Sequence, residues 1–153
     1  TPFLLYTVYY YSIMVKNAPY RFSDFDSITF KYGLGDSLVN QYYSKTGDFQ
    51  YVNQDDSLIK TKVKMRKDDL LYLHRKAAEL GFWNFPDELK GDPEAAKGRN
   101  SQTYYSEFRY KDKTKHVVYD ISYDKEPKLA GAAKSLITEI SNMISDVRDR
   151  NKD

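Results

Sequence analysis

The sequence predicts an α+β domain: an antiparallel sheet of about six to seven strands with two helices packed on one face. Three observations carry this. Residues 25–34, 59–65 and the hairpin 104–123 alternate side chains with a period of two, the mark of half-buried strands. Two segments, Leu70–Leu80 and Leu129–Val147, switch to spacings of three and four, the mark of amphipathic helices. Strands come in runs and helices stand apart, whereas a parallel sheet would alternate them. The 153 residues suit one domain, in which about 70% of the unfolded surface is buried.

Thr1 to Val15 is almost wholly apolar or aromatic. It is shorter than the roughly 20 residues a membrane span needs. No basic stretch precedes it and no small-residue cleavage site follows, so a complete signal peptide is not expected. Two readings stay open: a buried aromatic strand, or the distal part of an export or anchor segment.

Ile28, Phe30, Tyr32 and Leu34 share one strand face, with Thr29 and Lys31 opposite. Gly33-Leu34-Gly35 has no helix after it, so it reads as a turn rather than a phosphate loop. Leu38–Ser44 and Phe49–Asn53 form a hairpin around Lys45-Thr46-Gly47-Asp48. Next, Ile59, Thr61, Val63 and Met65 alternate with Lys60, Lys62 and Lys64, a strand with one core face and one wet face.

Leu70, Leu73, Ala77 and Leu80 then mark a helix, with Asp68 and Asp69 favoured at its positive end and Gly81 ending it. Phe82-Trp83-Asn84-Phe85-Pro86 is an aromatic knot folding back on the sheet. Pro86–Ser101 has no apolar period and reads as a mobile surface loop. Tyr104–Lys111 and Lys115–Tyr123 form a second hairpin, with Tyr104, Ser106, Phe108 and Tyr110 on one face and Tyr105, Glu107 and Arg109 on the other. Pro127 opens the last helix, where its missing N–H costs nothing, and Arg148–Asp153 is expected to fray.

Composition narrows the function classes. The chain is 41% hydrophobic only when its 15 tyrosines are counted, so tyrosine must serve as core and amphipathic surface together. With 24 basic against 22 acidic residues there is no net basic field for nucleic acid. The absence of cysteine excludes disulfides, thiolate metal sites and cysteine nucleophiles.

Chemical motifs are sparse. His74 and His116 have no second ligand at metal-binding spacing, and the Asp24/Asp26 and Asp55/Asp56 pairs lack a calcium-loop framework. There is no nucleophile elbow and no Ser-x-x-Lys set. Glu107 and Asp120 could form a catalytic carboxylate pair, against the plainer reading of cross-strand partners for Lys and Arg. Lys60, Lys62 and Lys64, with Arg66 and Lys67, form a basic stripe: either a patch for an anionic partner or a solvated edge protected by lysine. Phe82 and Phe85 read as core plugs, and Trp83 as either plug or exposed anchor. No catalytic residue, metal ligand or cofactor site is singled out. The candidate binding residues are Lys60, Lys62, Lys64, Trp83, Tyr105 and Arg109.

The runs Ser27–Gly33, the tyrosine-rich hairpin with Thr46-Gly47, Val63-Lys64-Met65 into Asp68–Leu73, and Leu80–Asp87 resemble a family of small Bacteroidetes proteins of unknown function, many with lipoprotein-type export signals. The likeness covers roughly residues 25–123 and rests on structural positions. It implies an exported domain, in the periplasm or on the cell surface. The chain has no lipobox cysteine, although a membrane tether upstream of residue 1 is compatible with it. The expectation is an envelope-associated binding or scaffolding domain that contacts protein or glycan through its tyrosine-rich sheet. Nucleic acid is not expected as a partner, nor is catalysis. The alternatives are a small hydrolase with a carboxylate pair, and an inhibitor or immunity protein.

Overall fold

The computed structural model describes residues 20–34, 37–91 and 102–151. The aromatic segment 1–15 and most of the expected loop 86–101 lie outside them. The described residues form an α+β fold with a seven-stranded sheet and two helices. The strands are β1 (Phe25–Leu34), β2 (Ser37–Tyr43), β3 (Asp48–Val52), β4 (Leu58–Lys62), β5 (Glu88–Leu89), β6 (Gln102–Tyr110) and β7 (Thr114–Asp120). The helices are α1 (Lys67–Leu80) and α2 (Pro127–Asn151). Across the sheet the order is β4-β3-β2-β1-β6-β7-β5. All neighbours are antiparallel except β5 and β7.

Strand register sorts the side chains into two faces. Thr61, Phe49, Tyr42, Phe30, Ser106 and Val117 stand in one cross-sheet row beneath the helices. The next row pairs Ile28 with Phe108. Leu73 and Ala77 of α1 and Ala133, Leu136, Ile140, Ile144 and Val147 of α2 complete the same buried cluster. Tyrosine does enter the core, and where it does its hydroxyl decides the cost. That of Tyr42, fully buried, donates to the Val63 carbonyl at 2.8 Å. Tyr42→Phe therefore leaves a buried acceptor unpaired, and is expected to cost about 1–3 kcal/mol in urea unfolding. A loss below about 0.5 kcal/mol would mean that water replaces the bond.

Helix α1 begins without a Ser or Thr cap. Its start is held instead by Asp69, whose carboxylate accepts the Arg66 backbone N–H at 2.7 Å. Gly81 ends it in the left-handed conformation at φ 78°, which a side chain would resist. The aromatic knot then packs inward as expected: Phe82 and Phe85 are buried, and the Phe82 ring lies 5.1 Å from that of Phe108.

Several boundaries differ from the sequence reading. The fourth strand stops at Lys62 rather than running to Met65. Val63 remains buried because the chain bends inward there, its N–H donating to the Gly47 carbonyl at 2.7 Å. Leu34 is exposed, since the β1–β2 register shifts after Tyr32 and takes it out of the core face. Of the expected loop 86–101, only residues 86–91 are described, and they are not wholly irregular. Glu88 and Leu89 add a parallel strand beside β7, and Leu89 is buried. Two residues are too few to show a period, so only the neighbouring strand reveals them. The second hairpin's return strand ends at Asp120, leaving Ile121 half exposed. Residues 148–151 continue α2 instead of fraying, because Arg148 and Arg150 find partners on other elements.

Candidate functional site

The face of the sheet opposite the helices has no described element packed on it, and its side chains are those a strand turns away from the core. Lys62, Asp48, Tyr43, Thr29, Glu107 and His116 form one row across it. Lys60, Gln50, Gln41, Lys31, Tyr105 and Val118 form the next. Register thus brings Lys60, Lys62, Tyr105 and Arg109 onto one surface, although they sit far apart in sequence.

The middle of this surface is a shallow groove of about 540 Å³, lined by Thr29, Lys31, Tyr43, Lys45, Tyr105 and Glu107 among others. Lys31 lines it. The ammonium lies 5.6 Å from the Tyr43 ring centroid and 5.8 Å from that of Tyr105, a cation held between two aromatic rings. Tyr105 in turn stacks on His116 with centroids 5.8 Å apart and planes 20° apart. The Tyr105 hydroxyl donates to Glu107 Oε1 at 2.9 Å, and Arg109 Nη2 lies 3.6 Å from Glu107 Oε2. Partial burial first, and then the bond to the Glu107 carboxylate, push the Tyr105 hydroxyl up to about 12. It stays protonated at physiological pH and acts as a donor.

Ion pairs frame the groove. Lys62 binds Asp48, and Lys45 lies 3.6 Å from Asp26. The Lys62 contact holds the Asp48 carboxyl below its ordinary value. These pairs are solvent-exposed, so they orient side chains more than they stabilise the fold. Lys60 and Lys31 carry no carboxylate partner among the described residues, which leaves the surface a cationic surplus.

Two of the six candidate residues fall elsewhere. Lys64 is exposed, but it follows the end of β4 and so leaves the row that Lys60 and Lys62 occupy. Trp83 lies on the helix side of the sheet. It stacks on Tyr20 at 4.3 Å and meets Phe108 edge-on at 5.7 Å, a plug rather than an open anchor. Beside it His74 Nδ1 lies 2.6 Å from the Tyr110 hydroxyl. Burial, helped by the Arg75 charge, lowers the His74 pKa and keeps the ring neutral.

The two carboxylates weighed as a catalytic pair are not opposite one another. Glu107 pairs with His116 and Asp120 with Thr103. Four residues of strand, about 13 Å, separate them along the sheet. Asp120 bonds locally instead, accepting from the Ser122 N–H at 2.8 Å and the Thr103 hydroxyl at 3.1 Å. Among the described residues no group of three His, Asp or Glu side chains converges to hold a metal. Nor is any described helix long and apolar enough to cross a membrane.

No family profile matches the chain. A search of curated proteins likewise finds no match.

The sequence grouped Tyr105 and Arg109 on one strand face without telling which face is open, and missed Lys31 and Tyr43 as their neighbours. Period-two alternation put Lys31 on the right side of its strand. Its meeting with Tyr43 and Tyr105 depends on register across three strands, which alternation within one strand does not specify.

Proposed function

We propose that this chain is a binding domain of the bacterial envelope, taking an acidic, hydroxyl-rich glycan or protein segment across its open sheet face. The observation that supports it most is Lys31 lying between Tyr43 and Tyr105 in a groove edged by hydrogen-bonding side chains. Tyrosine rings offer contact area at low entropy cost, and the surplus of lysines favours an anionic partner. The separation of Glu107 from Asp120 supports holding over hydrolysis. The envelope location rests on the resemblance of residues 25–123 to exported Bacteroidetes proteins.

An array carrying acidic and neutral glycans, with acidic and neutral peptides on a parallel set of spots, tests this reading. Acidic members of one set should be retained, with retention falling as salt rises. Tyr105→Ala and Lys31→Met should each weaken it about tenfold, equivalent to about 1.4 kcal/mol. Trp83→Phe, on the far side of the sheet, should not. Retention that ignores both open-face substitutions, or cleavage of a retained glycan, would remove the proposal.

A further inference from the structure

A second cavity lies on the opposite side of the sheet, where α2 crosses β1 and β3. It measures about 210 Å³. Its walls are the rings of Tyr32, Phe49 and Tyr51 from β1 and β3, and its rim is Ser141, Ser145 and Arg148 of α2. The two serines are four residues apart, so both hydroxyls fall on the same stripe of the helix.

Arg148 is the unusual member. Its guanidinium lies over the Tyr51 ring, 5.5 Å from the centroid. Its Nε is buried and has no hydrogen-bond partner. Among the described residues no carboxylate pairs with it, although its neighbour two positions on, Arg150, is paired with Asp69. A guanidinium is the side chain best suited to grip a carboxylate through two parallel bonds. Leaving one partly desolvated without an anion is costly. The cavity thus joins an unneutralised cation to an aromatic box.

We propose that this cavity binds a small aryl carboxylate, its ring among Tyr32, Phe49 and Tyr51 and its carboxylate on Arg148, with Ser141 and Ser145 as secondary donors. Size agrees with this. An apolar cavity of about 150 Å³ accommodates benzene, so this one has room for a single ring with a short acidic arm. The site is independent of the open face, since the sheet lies between them.

Two-dimensional NMR on the full ¹⁵N-labelled chain tests it, with phenylacetate and its neutral isostere phenylacetamide as probes. Phenylacetate should saturably shift the Arg148 Nε–H resonance and the amides around Ser141 and Ser145. Phenylacetamide should bind at least about tenfold more weakly. Arg148→Met, which keeps the apolar stem, should abolish that preference. Ser145→Leu, at an exposed helix position, should fill the mouth and weaken both probes. Lys31→Met should change nothing, which separates this site from the open face. Equal affinity for the two probes, a preference that survives Arg148→Met, or no shift at millimolar phenylacetate would each overturn the proposal.

Discussion

Phe108→Ala is expected to lower the unfolding free energy by about 3–5 kcal/mol. The side chain is fully buried on β6, two strands from one sheet edge and four from the other, opposite Ile28 of β1. Its ring meets Phe82 at 5.1 Å and Trp83 at 5.7 Å, so it joins the sheet to the aromatic knot that follows α1. Truncation opens a hole whose floor is hydrogen-bonded strand and whose roof is two stiff rings. Neither can collapse to fill it, which places the cost high in the range for large-to-small changes. Domains of this kind are stable by only about 5–15 kcal/mol, so a substantial part of the total is at stake. Urea unfolding followed by the fluorescence of the single tryptophan measures it, because Trp83 touches the altered site. Phe108→Leu, which refills most of the volume, should recover more than half of the loss. A cost below about 1.5 kcal/mol for the alanine variant would mean that the knot packs without its partner.

Asp69→Ala is expected to cost about 2 kcal/mol and to detach the end of α2 from the start of α1. The carboxylate is largely buried and does two jobs. It accepts the Arg66 N–H at the helix start and receives Arg150 Nη2 at 2.7 Å from α2. Burial pushes the Asp69 pKa up, but the Arg150 guanidinium and the Arg66 N–H outweigh it, and the net value lies below the ordinary 3.8. A carboxyl depressed in the native state contributes stability in full above its unfolded pKa and loses it as pH falls through the native one. Asp69 should therefore contribute in full at neutral pH and progressively less below 3.8. Stability of wild type and Asp69→Ala, measured from pH 7 downward, should converge in that acid range. Arg150→Met should be milder, since the guanidinium is more than a third exposed and Arg66 would still be capped. Curves that stay parallel into strong acid would show that the two helices are joined by packing alone.

Much of the architecture was legible because each element repeats a simple rule several times. Ile28 and Phe30, the lysines of β4, and the Leu70–Leu73–Ala77 spacing each repeat a period strongly enough to set strand or helix. What escaped were features made by one or two residues. Glu88 and Leu89 become a strand only because β7 lies beside them. Val63 leaves β4 because Gly47 and Tyr42 draw it inward. Arg148 and Arg150 extend α2 because each has a partner, Tyr51 and Asp69, that sequence distance conceals.

The candidate site divides along the same line. From residue order alone came the α+β class, the two helical rods, the inward aromatic knot, and the grouping of Tyr105 and Arg109 on one strand face. These depend on interactions between near neighbours along the chain, which periodicity records. Only tertiary structure decided that Lys31 lies between Tyr43 and Tyr105, that Glu107 and Asp120 stand apart, and that Arg148 faces an aromatic cavity. Each of those depends on register between strands or on where a helix crosses a sheet. Such distances are set by the packing of the whole molecule, and no local pattern encodes them.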